Sequence, residues 1–241
     1  MRRCAVVLWI VVAACAPRLA PLEGAPSARV VPSSGIPGGH TRVVFRWELD
    51  DPDFVARGDG ATRLASPDSA RLDFFLGGGI GAGAAVLIHD ELRLPSRAED
   101  LARRLIPPAP MLWGALGRTA VPPARDTAVR VDGDTLRADI GAPVAWRLTF
   151  VRDTLRRVER VSGARVIEWV ERFADGHVRY RHEVNRRQLD IFPSRSDAIG
   201  ALDRERRGLL GADDEFAGRA RGRGLLRRGT CDPQRQPEAC Q

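Results

Sequence analysis

From residue 42 to residue 49 the chain alternates: Val43, Phe45, Trp47 and Leu49 point one way, Arg42, Arg46 and Glu48 the other, with Val44 the single apolar exception. That period of two predicts a half-buried strand. Gly58-Asp59-Gly60 then predicts a turn, and the run 61–65 leads through Ser66-Pro67-Asp68 to Leu72, Phe74 and Leu76, which share a face. The glycine-rich stretch 77–83 predicts a flexible hairpin tip, with an apolar strand over 84–88 after it. Ser96 and Glu99 stand at capping-box spacing and predict a short helix over 97–105, stopped by Ile106-Pro107-Pro108. The run 111–117, Met-Leu-Trp-Gly-Ala-Leu-Gly, predicts a second short apolar helix ending at Gly117. Strands return over 128–131 and 135–140, flanking the hairpin signal Asp132-Gly133-Asp134. Trp146, Leu148 and Phe150 then alternate with Arg147 and Thr149. Over 165–173, Ile167, Trp169 and Phe173 oppose Val166, Glu168, Val170 and Arg172, and further strands are predicted over 177–184 and 188–192. Many short strands with two helices inserted midway predict a mainly β protein of the α+β kind, one antiparallel sheet curved around the helices.

The two ends read differently. Met1-Arg2-Arg3, an apolar run over 5–14 and then Cys15 follow the order of a secretory signal, and that run is far short of the roughly 20 residues that cross a bilayer. Val12-Ala13-Ala14-Cys15 resembles the bacterial lipobox, in which the signal is cleaved before the Cys and that Cys carries the lipid; the plainer alternative is an ordinary cleaved signal with an incidental thiol. In lipoproteins an Asp directly after the Cys favours inner-membrane retention, and here that place is Ala16, which leans toward the outer membrane. Residues 16–40 are rich in Pro, Gly and Ser without periodicity and predict a flexible tether. Beyond Phe192 the pattern fails: residues 195–241 hold ten Arg against eight acids, with 202–210 read as a helix. The expected organisation is therefore a signal over 1–14, a lipidated Cys and tether over 15–41, a folded body over 42–192, and an Arg-rich, partly disordered tail over 193–241.

Composition changes this picture little. With 241 residues and 44% apolar content the chain can bury one core, and no stretch is long enough for a polytopic membrane protein. All 38 basic side chains are Arg, which reads as compositional bias, so the net charge of +7 argues only weakly for an anionic partner.

Candidate chemistry is sparse. His40 and His89 stand apart, and His177 and His182 are five apart on one strand, so they project to opposite faces and cannot share a metal. The stretch 77–83 lacks the helix that a dinucleotide loop needs directly after it. Ser66, Ser69 and Ser162 sit in no nucleophile elbow, and Asp50, Asp51 and Asp53 with Pro52 among them read as a turn. No catalytic residue, cofactor or metal is expected. Arg156-Arg157 and Arg186-Arg187 lack interleaved aromatics, so a solvated sheet face or contact with anionic lipid is expected there and nucleic acid is not. Cys231 and Cys240, nine apart in an exported chain, either close a small disulfide loop or remain two free thiols.

Taken in order, a lipobox Cys, a tether, strands, a loop with a lone apolar residue before Gly, a Trp-Gly helical segment and a Trp strand resemble the outer-membrane lipoprotein receptor LolB and, more distantly, its periplasmic carrier LolA. The resemblance spans about residues 42–192. It implies an open antiparallel half-barrel with short helices over the concave face, enclosing an apolar cavity for the acyl chains of lipoproteins. Ile80-Gly81 falls where LolB has a protruding Leu-Gly that inserts lipoproteins into the membrane. Met111 to Gly117 resembles its helix with a Trp, and Ala145-Trp146-Arg147-Leu148-Thr149-Phe150 its strand with a Trp. The cavity lining expected here is Phe45, Trp47, Leu72, Phe74, Val86, Ile88, Trp113, Trp146, Leu148, Phe150, Ile167 and Trp169. The expected protein is a non-enzymatic monomer facing the periplasm, with Cys15 in membrane lipid, acyl chains as ligand and a periplasmic carrier as partner. The alternative is an anchored interaction scaffold whose core is filled.

Overall fold

The computed structural model describes residues 17–36, 38–77, 81–94 and 106–198. Cys15, Ile80, Cys231, Cys240 and the helices expected over 97–105 and 202–210 lie outside the described residues.

Thirteen strands form one sheet: β1 (Ala25–Pro26), β2 (His40–Asp51), β3 (Phe54–Ala65), β4 (Ser69–Leu76), β5 (Gly81–Ile88), β6 (Glu91–Arg93), β7 (Thr127–Asp132), β8 (Thr135–Ile140), β9 (Trp146–Val151), β10 (Thr154–Ser162), β11 (Arg165–Arg172), β12 (Val178–His182) and β13 (Arg187–Ala198). Their order across the sheet is β1-β7-β8-β9-β10-β11-β12-β13-β2-β3-β4-β5-β6. Every pairing is antiparallel, and β1 and β6 end the sheet without meeting, so it is open, as the resemblance implies.

Between β6 and β7 the chain forms α1 (Ala109–Ala115). Pro108 caps it without a side-chain hydrogen bond, and Gly117, at φ +88°, ends it in a backbone that glycine adopts without strain. Seven residues are too few for a helix to be stable alone, so packing holds α1 in place. Met111, Leu112, Trp113 and Gly114 are all buried. A Cβ on Gly114 would come 2.7 Å from Val170 and 2.9 Å from Val158, so the helix backbone rests directly on β10 and β11. Leu112 and Trp113 pack instead with Leu72, Ala85 and Leu87 of β4 and β5. From β11 to β5 is six strand steps, roughly 30 Å in a flat sheet, whereas a helix is about 10 Å across. One short helix touches both wings only because the sheet curls around it, and its inner face is the one that carries α1.

Three expectations need correction. Gly58 and Gly60 are not a turn. They lie inside β3, opposite Trp47 and Phe45, and a Cβ on Gly60 would collide with the Phe45 ring, so glycine marks a close approach within a strand; the turn falls at Pro52-Asp53. Residues 17–36 are not a free tether. Val166 N–H donates to the Pro17 carbonyl, Leu19 N–H to Ala164, Arg147 to Ala20 and Arg130 to Gly24, and β1 adds to the β7 edge before Ile36 is buried beside α1. Low periodicity does not prevent docking when carbonyls meet arginines of the sheet, Arg147 buried and Arg130 half-buried. The sheet also runs past residue 192, because a register shift between Pro193 and Arg195 breaks the alternation while residues 195–198 continue to pair with β2. β10 is an element that the alternation does not mark: its two register shifts, at Leu155/Arg157 and Arg160/Val161, put Leu155, Val158 and Val161 out of a simple period of two.

Candidate functional site

Pairing places residues in rows across the inner face. One such row reads Ala138, Leu148, Val158, Val170, Tyr180, Leu189, Leu49 and Ala56, from β8 to β3, with every side chain but Ala56 buried. Phe45, Trp47, Leu148 and Phe150 belong to this cluster, with Trp146 and Phe74 packed against it. Phe74 meets Phe45 and Trp47 edge-on, with ring centroids 5.7 and 6.0 Å apart, the geometry that ring quadrupoles favour. Leu72 and Trp113 lie in the adjoining cluster around β4 and β5. The structure therefore brings eight of the twelve expected lining residues to the inner face.

The other four lie on the opposite side. Val86 and Ile88 stand across from Arg71 and Ser69, while Ala85 and Leu87 face inward. Ile167 and Trp169 also face outward, where the Trp169 indole donates to Glu183 at 2.7 Å and lies under Arg157 at 4.1 Å; Val166 and Val170 take the inner positions. Both β5 and β11 carry apolar residues on consecutive positions, so their own alternation does not choose a face.

Trp113 anchors α1 within the face. Its Nε1 donates to the His89 carbonyl at 2.6 Å, and the Arg118 guanidinium covers the indole at 4.5 Å. Among the described residues, the inner face is thus occupied by the helix. A separate cleft of about 320 Å³ lies elsewhere, lined by Asp126, Thr127, Ala128, Asp139, Gly141, Ala142 and Val144.

One row nearer the hairpins, the inner face turns ionic. Arg160 pairs with Glu168, Glu168 accepts from the Tyr180 hydroxyl at 2.7 Å, His182 stands across from Glu168, and Arg187 binds Asp51 at 2.7 Å. Glu168 is only 1% exposed, so it is a buried carboxylate with both partners in place. Sequence reading missed this row, although Glu168 stands in phase with Val166 and Val170, an acid where the pattern asks for an apolar residue. Burial pushes the Tyr180 phenol above its usual range, and the neighbouring Glu168 carboxylate adds to that. Burial lowers the His182 pKa; Glu168 opposes this and the Arg160 and Arg187 cations reinforce it.

Further in, Arg172 lies beside Gly117 at the end of α1, where burial and then Arg156 lower its pKa. No acid pairs with it among the described residues.

The outer face is a ladder of paired charges, including Arg157 with Glu171 at 2.6 Å and Arg179 with Asp190 at 2.7 Å. His177 is stacked between Phe173 and Phe192, with its Nε2 at 2.7 Å from Asp190, on the face opposite His182. Hydrogen bonding from Arg187 holds Asp51 below the ordinary carboxylate range. Burial opposes the same shift at Asp190, but hydrogen bonds from Arg179, Gln188 and His177 outweigh it. Both carboxylates therefore stabilise the fold fully above the unfolded value of about 3.9, and that contribution is lost as pH falls through their lower folded values. Urea midpoints measured from pH 5 to pH 2 should fall steeply for the wild type and less steeply for Asp51→Asn; equal slopes would mean that Arg187 does not hold Asp51 in solution. Among the described residues, no group of three or more His, Cys, Asp or Glu is arranged to hold a metal.

No family model matches the chain, and no curated protein matches it. Several solved structures are similar. A DUF1329 family protein from Desulfovibrio piger has 10% identity and a TM-score of 0.43 over 69% of this chain and 88% of its own. A LolA superfamily protein from Nitrosomonas europaea has 10% identity and a TM-score of 0.42 over 70% of this chain and 90% of its own. An outer membrane lipoprotein-sorting protein domain from Vibrio parahaemolyticus has 9% identity and a TM-score of 0.40 over 68% of this chain and 87% of its own.

Proposed function

We propose that this protein is anchored by lipid on Cys15 in the bacterial envelope, takes acyl chains onto the inner face of its sheet, and helps place lipoproteins or lipid in the outer membrane. The observation that supports this reading is a continuous apolar face whose filling piece is a separate, seven-residue helix. Binding proceeds by exchange. An acyl chain of about twelve methylenes gains roughly 10 kcal/mol on leaving water, while Met111, Leu112 and Trp113 together lose roughly 6–8 kcal/mol if α1 withdraws, at about 0.8 kcal/mol per methylene and up to about 3 per large side chain. The two are close enough for a ligand to displace the helix and for the helix to expel it again. Arg172, without an acidic partner beside Gly117, is where an anionic headgroup would rest. Ile80 on its Gly-rich tip would probe the bilayer, and a periplasmic carrier would deliver the cargo.

The full chain carrying Cys15→Ser, purified without detergent, tests this directly. Organic extraction and mass spectrometry should find bound acyl lipid, a fluorescent fatty acyl probe should compete for the same site, and Trp146→Asp or Phe74→Asp should abolish both while the circular dichroism spectrum survives. A folded protein that neither retains lipid nor takes up the probe would sink the acyl-binding reading. It would favour the second reading, an anchored interaction scaffold with a filled core, which the complete burial of Trp113 and Met111 supports.

A further inference from the structure

The two ends of the strands differ in kind. At one end lie the connections β8–β9, β10–β11, β12–β13, β2–β3 and β4–β5, as their registers require. Among the described residues, five of the six exposed large apolar side chains are here: Phe54 and Val55 at the start of β3, Phe75 and Leu76 at the end of β4, and Val184 between β12 and β13. Val55 is 77% exposed and Val184 57%, values a solvated tip has no reason to select. The β8–β9 and β10–β11 tips, Ala142-Pro143-Val144-Ala145 and Gly163-Ala164, carry no charge at all. Exposed charges nearby are mixed, with Asp50 and Asp53 against Arg57, Arg165, Arg181 and Arg186. At the other end the connections are acidic and polar: Ser66-Pro67-Asp68, His89-Asp90, Asp132-Gly133-Asp134, Arg152-Asp153 and Asp175-Gly176.

The docked N-terminal segment selects between the ends. Pro17 and Leu19 are hydrogen-bonded to Val166 and Ala164 at the β10–β11 tip, and from there the segment runs down the outer face to Arg147 and Arg130. Cys15 is two residues upstream of Pro17, a reach of about 7 Å for an extended chain. Anything attached to Cys15 therefore starts at the apolar end, held there by the segment and not by a long tether.

We infer that the apolar hairpin end is a bilayer seat: Phe54, Val55, Phe75, Leu76 and Val184 rest in the lipid interface while the acidic end faces away, and the docked 17–27 segment fixes this orientation. The occupant is a lipid surface because apolar tips interleaved with arginines match an anionic interface, whose acyl boundary takes the former and whose headgroups take the latter. Among the described residues, the opposite end offers no comparable apolar cluster. The inference rests on the reading that Cys15 is the anchor, and it sets the Arg160–Glu168–Arg187–Asp51 row, just beneath the tips, toward the membrane.

The test uses full-length protein isolated from membranes and reconstituted in phosphatidylethanolamine–phosphatidylglycerol vesicles, with Cys4→Ser, Cys231→Ser and Cys240→Ser, so that beside Cys15 there is one added thiol for an environment-sensitive fluorophore, and peptide mass spectrometry locates the label wherever Cys15 is unacylated. Labels at Val55→Cys and Val184→Cys should shift to the blue, lose quenching by iodide and gain quenching by bromine-bearing acyl chains. Labels at Asp90→Cys and Asp134→Cys should keep their iodide quenching. Arg147→Ala with Arg130→Ala, which removes the two arginine hydrogen bonds to the segment while its backbone bonds remain, should raise iodide access at Val55→Cys while acylation persists. Mass spectrometry of the N-terminal peptide separates the two readings. Acylated protein with Val55 and Val184 labels open to iodide overturns the seat and leaves the anchor; unacylated protein with those labels in lipid overturns the anchor and supports the seat. Unacylated protein with water-exposed labels overturns both.

Discussion

Replacing Trp113 by Ala should destabilise the protein by about 3–5 kcal/mol, the cost of a large buried aromatic and the cavity it leaves. The indole is fully buried, donates to the His89 carbonyl and lies under Arg118, and it joins α1 to the β4–β5 wing. Removing it takes away the larger of the two α1 side chains, Trp113 and Leu112, that pack against the β4–β5 wing. For a domain of this size the thermal midpoint should drop by roughly 10 °C or more, with Trp113→Phe losing less because it keeps most of the volume. Probe uptake gives the variant its functional meaning. If acyl chains enter by displacing α1, Trp113→Ala takes up a fluorescent acyl probe faster than the wild type. If the inner face is a filled core, stability falls and uptake does not change. Thermal melts within about 1 kcal/mol of the wild type would show that Trp113 does not hold the two wings together.

The second large effect is expected at Glu168. Its carboxylate accepts from Tyr180 and pairs with Arg160, and Glu168→Ala strands a buried hydroxyl and a guanidinium together. Breaking a buried pair from one side costs about 3–5 kcal/mol, and the partial exposure of Arg160 places this case near the lower figure. Glu168→Gln keeps an acceptor for Tyr180 but loses the charge, so about 1–3 kcal/mol is expected. Tyr180→Phe removes the hydroxyl that would be stranded, and in that background Glu168→Ala should cost less. The coupling is the measurement that matters, because additive losses would mean the two groups do not interact. The phenol offers a second readout: without Glu168 the Tyr180 pKa should move back toward about 10, followed by its absorbance in alkaline titration.

Much of the architecture is legible in local pattern. Alternation locates β2, β4, β8, β9, β11 and β12, Asp132-Gly133-Asp134 marks its hairpin, and the run ending at Gly117 contains α1. These succeed because strand and helix periods, tight turns and left-handed glycines depend on residues a few positions apart. Within the candidate site, Phe45, Trp47, Leu72, Phe74, Trp113, Trp146, Leu148 and Phe150 are legible for the same reason: each stands in an element whose opposite face is polar, or in the one apolar helix.

What failed depends on distant partners. Val86, Ile88, Ile167 and Trp169 are as apolar as their neighbours, and only pairing with β4, β10 and β12 turns Ala85, Leu87, Val166 and Val170 inward. The glycines of β3 look like a turn until Phe45 and Trp47 are seen across from them. The 17–36 segment looks free until Arg130 and Arg147 meet its carbonyls, more than a hundred residues away in sequence. The ionic row joins side chains from β10, β11, β12, β13 and β2, which are neighbours only in space. By itself, then, the sequence determined where most of the strands and the helix form and that one apolar face exists. The tertiary structure decided which side of each ambiguous strand is that face, where the N-terminal segment leaves the body and how the charges pair, since burial and ion pairing are properties of the surroundings that folding brings together.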